Sequence, residues 1–269
     1  LIFNIIFLTL LIMVKTKSVS FLKVIFLFAF ILFFAGPLSM PRFLVFSLYV
    51  PLFFVLLGWH RKKDYRYIGA VFFGMVFVFP LMDLFRWFGV DDNVSFETMI
   101  NPEYYFAGHF DAFQNFARII ILDFHTYGEQ ILGAFLFFIP RSIWATKPVG
   151  TGFLLAEQAG LSFNNISLPL VAELYLDYSI PGIIIGFLLL GTLYRYIDNR
   201  ALRLEDWVSL FDLAKLIAYA EFVCLQYYLL RGNLLACVAF STAILTSVFV
   251  AYSFIWFFKS GFRFRYGIR

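Results

Sequence analysis

Long uninterrupted apolar runs are the feature of this sequence that most restricts its fold. They are about 15 to 24 residues long, and a membrane with about 30 Å of hydrocarbon needs ~20 apolar residues per helix. Short charged segments separate the runs, which fall near residues 1–14, 19–38, 44–58, 67–84, 176–194, 212–230 and 233–257. The pattern predicts an all-α integral membrane protein with about seven transmembrane helices.

The composition supports a membrane protein. Hydrophobic residues make up 62% of the chain and charged residues 14%, against roughly a quarter charged in an average soluble domain. This balance excludes coiled-coil, disordered, nucleic-acid-binding and disulfide-scaffold proteins. Cys224 and Cys237 lie in apolar segments without CxxC spacing, so we expect them to be buried thiols.

Basic residues predict the orientation, because Lys and Arg hold short loops on the cytoplasmic side. Most of them fall on alternate connections and on the C-terminal tail: Lys15, Lys17, Lys23, Arg61, Lys62, Lys63, Arg66, Arg195, Arg200, Arg203, Lys259, Arg263, Arg265 and Arg269. We therefore expect the N-terminus outside and the C-terminus in the cytoplasm. One long region then lies outside the membrane.

The predicted organisation has three parts. Residues 1–84 form N-terminal transmembrane helices, 85–172 form the external region, and 173–269 form C-terminal transmembrane helices and a basic cytoplasmic tail. The external region has helical patterns at 115–124 and 129–139. The second pattern is apolar but too short to cross a membrane, so we expect a re-entrant or interfacial helix there.

The segment from Pro140 to Pro148 carries the most informative cations. An apolar helix is predicted to end at Pro140, and Arg141 and Lys147 follow it, with Trp144 between them. Arg can grip a phosphate through two hydrogen bonds, and Lys adds a compact charge. The segment suits a phosphate held at the membrane surface, although both side chains could instead extend toward lipid headgroups.

Glu173 and Asp177 are four residues apart at the outer end of the fifth span, so they share one face of a helix. A partly desolvated carboxylate at a membrane edge is a reasonable general base. The alternative is an acidic residue that is favoured at a helix start by the helix dipole.

Four further residues are candidates for an external site. His109 and Asp111 are two residues apart and could transfer protons, but a third ligand at metal spacing is lacking, so no metal is expected. Arg118 and Arg231 are additional external cations. Within the sixth span, Glu221 needs a partner or water, and helix packing is favoured over a proton relay.

Several segments, in this order, resemble the bacterial oligosaccharide repeat unit polymerases, the Wzy-type O-antigen polymerases. They are Phe137–Trp144 (FFIPRSIW), Lys147-Pro148, Gly150-x-Gly152, Ala172-Glu173-x-Tyr175 and Arg231-Gly232. The resemblance covers roughly residues 108–232. The family usually has more than seven spans and this chain starts at Leu1, so we expect an N-terminally truncated member.

The resemblance implies a membrane glycosyltransferase at the outer (periplasmic) face of the bacterial plasma membrane. It would polymerise undecaprenyl-diphosphate-linked oligosaccharide repeat units into O-antigen or a capsule-like polysaccharide. No cofactor is implied. The partners are these lipid-linked oligosaccharides and membrane lipids, with a chain-length regulator left open and no nucleic acid.

The same resemblance assigns roles to the candidate residues. Arg141, helped by Lys147, Arg118 and Arg231, would bind the diphosphate of the substrate. Glu173 is the first candidate for the catalytic base, followed by Asp111 and His109. Two alternatives stay open from sequence: an O-antigen ligase, which shares the donor, and a polysaccharide flippase or other transporter.

Overall fold

The computed structural model describes residues 1–16, 18, 20–37, 40, 42–57, 66–74, 112–164, 166–201 and 209–266. Within these ranges the regular elements are helices and no strand occurs. In chain order they are α1 (Ile2–Lys15), α2 (Phe21–Phe34), α3 (Arg42–Leu56), α4 (Arg66–Phe73), α5 (Ala112–Leu122), α6 (Glu129–Phe135), α7 (Thr151–Gln158), α8 (Leu170–Ala201), α9 (Leu210–Arg231) and α10 (Leu234–Tyr266). The predicted all-α class is confirmed for this part of the chain.

Three of the described helices are long and apolar enough to cross a membrane: α8, α9 and the Leu234–Phe258 part of α10. Ile184, Leu188 and Leu189 of α8 are more than half exposed. Such an apolar face needs an apolar solvent, which indicates a membrane protein. The apolar helices α1, α2 and α3 are shorter. The count of seven spans therefore stays a prediction.

One compact unit is assembled from Leu1–Asp92, Asn199–Cys224 and Ala243–Arg269. Here α1 packs against α2 and α3. Phe3 of α1 meets the ring of Tyr49 with 5.5 Å between centroids, and the Tyr49 hydroxyl donates to the Ala35 carbonyl. The buried positions of α1 recur every three to four residues, so the helix buries one face in this unit.

A second compact unit is assembled from Asn93–Asp198 and Leu225–Thr242. Its core joins α5, α7 and the start of α8 through Ile119, Leu155, Ala156, Ile166, Leu168, Ala172 and Leu176. Close approach at Gly152 allows this packing, because a Cβ there would overlap the carbonyl oxygen of Ile166. The helices predicted at 115–124 and 129–139 are confirmed as α5 and α6, although α6 ends at Phe135.

Helix α8 is broken near its beginning. Tyr178 and Ser179 have non-helical backbone angles, and Ser179 has a positive φ of 55° with ψ −148°. Pro181 follows, which cannot donate a backbone hydrogen bond. A Cβ on Gly182 would overlap the Leu174 carbonyl oxygen, so glycine permits the close approach at this break. The break separates residues 170–177, which carry Glu173 and Asp177, from the long apolar part of α8.

Candidate functional site

Residues 137–148, which we call the cationic loop, follow α6 and are held by their own two cations. Arg141 Nη1 donates to the Lys147 carbonyl oxygen at 2.8 Å, and Nη2 donates to the Pro148 carbonyl oxygen at 3.4 Å. Lys147 Nζ donates to the carbonyl oxygens of Phe137 and, at 3.0 Å, of Ile139. Each cation therefore ties one arm of the loop to the other.

The turn at Pro140 gives the loop its shape. The backbone N–H groups of Ile143 and Trp144 donate to the Pro140 carbonyl oxygen at 3.0 and 3.1 Å. Proline itself has no N–H to continue a helix. The chain therefore turns directly after the apolar segment and places Arg141 at the turn.

The cationic loop presents charge and apolar surface side by side. Arg141 is exposed, and so are Phe138 at 68% and Ile143 at 79% of their surfaces. A guanidinium has five N–H donors, so Arg141 retains donors beyond its two carbonyl bonds. The apolar side chains are suited to the acyl region of a membrane, while the cation is suited to the headgroup level.

Glu173 lies inside the second unit and is fully buried, with 0% of its surface exposed. Its Oε2 accepts a hydrogen bond from Thr151 Oγ1 at 2.5 Å, and its Oε1 accepts from the Leu234 N–H at 2.9 Å. Thr151 also lies 3.4 Å from Gln130 Oε1. One carboxylate thus connects the starts of α7, α8 and α10.

Asp177 has a different set of partners. Its Oδ2 accepts from the Ile131 N–H at 2.7 Å, and its Oδ1 accepts from the Thr126 hydroxyl and from the Gln130 N–H at 3.4 Å. These N–H groups belong to the first turn of α6, where the helix itself supplies no acceptors. Asp177 therefore caps α6 and fixes the helix that leads into the cationic loop.

Arg118 and Arg231 each contact a neighbouring side chain of their own helix. Arg118 Nη1 donates to Asn115 Oδ1, and Asn115 Nδ2 donates to the Ser167 carbonyl oxygen at 2.7 Å. Arg231 Nη1 lies 3.5 Å from the Tyr227 hydroxyl. Both arginines are partly buried, unlike Arg141.

The structure brings several of the predicted residues into one region of the second unit. Gly150 lies against the side chain of Asn233, since a Cβ on it would be 2.7 Å from Asn233 Nδ2. The cationic loop leads directly into Gly150, and Arg231 leads into Asn233. Thr151 directly follows Gly150 and Leu234 directly follows Asn233, and Glu173 accepts a hydrogen bond from each of them. His109 and Asp111 lie outside the described residues.

The polar residues that hold this region together were not predicted from the sequence. Asn233 has a recognisable signal, because an Asn before an apolar run is typical of a helix N-cap, and its Oδ1 accepts from the Ala236 N–H at 2.8 Å. Thr151, Gln130 and Thr126 have no such signal. Their roles depend on carboxylates that are distant in the sequence.

Comparisons with known proteins add no assignment. No protein-family model, curated protein or solved structure matches the chain. Among the described residues, no group of His, Cys, Asp and Glu side chains is arranged to hold a metal ion.

Proposed function

We propose that this protein is a membrane glycosyltransferase that polymerises oligosaccharide repeat units carried on a polyprenyl diphosphate such as undecaprenyl diphosphate. The observation that carries the proposal is the exposed Arg141 between exposed Phe138 and Ile143. A lipid diphosphate has an anion at the headgroup level and an apolar chain beneath it. The cationic loop offers complementary groups for both.

The chemistry needs stabilisation of a leaving group. A sugar hydroxyl of the acceptor attacks the anomeric carbon of the donor, a new C–O bond forms, and the bond from that carbon to the diphosphate oxygen breaks. The proton of the hydroxyl passes to a base, and the diphosphate leaves with its negative charge. Arg141, helped by Lys147, Arg118 and Arg231, is proposed to hold that charge.

Glu173 is proposed to act first as a positioning residue. Both of its oxygens accept protein hydrogen bonds and its side chain is buried, so it holds Thr151 and Leu234 in place beside the cationic loop. Its assignment as the base stays a prediction, as do those of Asp111 and His109. The proposed location is the bacterial plasma membrane, with the cationic loop on the outer face.

The test compares Arg141 variants in a strain that lacks the chromosomal gene. Arg141→Gln retains an N–H donor for the loop carbonyls but removes the charge, and Arg141→Lys retains the charge. We expect long-chain glycan to fall about 10- to 100-fold with Gln, the effect of losing a charged hydrogen bond, and less with Lys. Chain length is read from the glycan ladder and protein amount from membranes.

Arg195→Gln is the matched control, because Arg195 is an exposed arginine of α8, outside the cationic loop. It should leave the ladder unchanged. Normal long chains with Arg141→Gln would refute the diphosphate assignment. In the deletion strain, single repeat units that remain attached to their acceptor indicate a polymerase, and loss of all repeat units indicates the ligase alternative.

A further inference from the structure

A buried polar cluster joins three apolar helices of the first compact unit. Asn4 of α1 donates through Nδ2 to Ser247 Oγ of α10 at 2.7 Å and to Glu221 Oε2 of α9 at 3.4 Å. Asn4 is 1% exposed and Glu221 0%. This cluster takes no part in the proposed glycosyl transfer.

The polar hydrogen atoms of the Asn4 and Ser247 side chains are all used in hydrogen bonds. A side-chain amide has two N–H donors and a hydroxyl has one. Both amide hydrogens of Asn4 are used in the bonds just described, and the Ser247 hydroxyl donates to the Ile244 carbonyl oxygen at 2.7 Å. Within the described ranges, Asn4 Oδ1 and Glu221 Oε1 are consequently buried without a hydrogen-bond partner.

No charged side chain compensates Glu221 in the described part of the chain. Lys215, on the same helix, lies 3.9 Å from Asp212 instead. The amino group of Leu1, directly before α1, acts on Glu221, and Glu221 in turn acts on the thiol of Cys224 on α9. An ionised carboxylate with an unpartnered oxygen is costly in an apolar interior, and ionisable residues within membranes usually have a function.

A single proton would both neutralise Glu221 and give the two unpartnered oxygens a hydrogen bond. On Glu221 Oε1 it removes the negative charge and supplies one O–H donor, and Asn4 Oδ1 is the acceptor that lacks one. A divalent cation fits less well, because Mg²⁺ and Ca²⁺ take six or more oxygen ligands and only two oxygens of the cluster are unused.

We propose that Glu221 is a proton-binding site within the membrane-spanning part of the protein. Its carboxyl group is neutral at neutral pH and donates its O–H to Asn4 Oδ1. The bound proton thereby links α9 to α1, and the Asn4 amide extends the connection to α10 through Ser247.

Infrared difference spectroscopy of the reconstituted protein tests the site. The spectrum of the wild type minus that of Glu221→Gln should contain the C=O stretch of a protonated carboxylic acid, and D2O should shift it to lower frequency. Replacing sodium with choline in the buffer should leave it unchanged. A difference that contains only carboxylate bands overturns the proposal, and so does a band that depends on sodium.

Two further variants keep the result interpretable. Glu157→Gln removes an exposed glutamate of α7 and should show carboxylate bands only. Asn4→Ala leaves Glu221 in place and removes its acceptor, so the acid band should persist but move to higher frequency. An acid band that does not respond to Asn4→Ala overturns the pairing even where Glu221→Gln folds poorly.

Discussion

At the scale of single residues, Glu173 and Glu221 both have fully buried carboxyl groups, but their partners differ. Both oxygens of Glu173 accept hydrogen bonds, from Thr151 and from the Leu234 N–H. Glu221 accepts one from Asn4, and no described residue donates to its other oxygen. We therefore assign Glu173 to holding the candidate site and Glu221 to binding a proton.

Thr151→Val tests the holding role of Glu173. The change removes the donor to a buried carboxylate oxygen while keeping the side-chain shape, so the free energy of unfolding should fall by about 1–3 kcal/mol. Thermal unfolding in detergent, followed by circular dichroism, measures the change.

Thr192→Val is the matched control for that variant. The Thr192 hydroxyl is exposed and bonds to the Leu188 carbonyl of its own helix. Its loss should alter the free energy of unfolding by no more than about 0.5 kcal/mol. If both substitutions lowered the free energy of unfolding equally, the hydrogen bond from Thr151 to Glu173 would not stabilise the protein.

At the scale of elements, α6 illustrates what apolar patterning can predict. The run from Glu129 predicts a short helix, and the structure has one from Glu129 to Phe135. Its cap is Asp177, which lies 46 residues from Ile131 along the chain. Local periodicity carries no information about such a partner, and for the same reason the bonds from Arg141 and Lys147 to loop carbonyls could not be predicted.

Gly152→Ala tests the packing of α7 on the segment that contains Ile166. The added Cβ would overlap a backbone carbonyl that cannot rotate away, so the free energy of unfolding should fall by about 1–3 kcal/mol despite the better helix propensity of Ala. Thermal unfolding of the two proteins under identical conditions measures it.

Gly191→Ala is expected to change the free energy of unfolding in the opposite direction. Gly191 lies within α8 and a Cβ there meets nothing within 4 Å. Alanine should therefore raise the free energy of unfolding by roughly 0.5–1 kcal/mol. A Gly152→Ala protein as stable as Gly191→Ala would show that the contact with Ile166 is absent.

At the scale of the whole molecule, hydropathy predicts the class of protein better than its arrangement. The apolar runs that become α8, α9 and α10 are long enough to cross a membrane. The starts of α8 and α10, however, meet through Glu173 and Leu234, and a hydropathy profile does not contain this contact. The orientation and the seven spans stay predictions from charge and length.

The central claim is that the protein transfers a glycan from one polyprenyl diphosphate to a repeat unit on another. The most direct measurement incubates the protein in liposomes with a synthetic lipid-diphosphate-linked repeat unit and separates the products by length. We predict a ladder of lengthened glycans with release of free polyprenyl diphosphate, slowed about 10- to 100-fold by Arg141→Gln. A substrate that keeps its length while the protein remains folded in the bilayer is incompatible with this function.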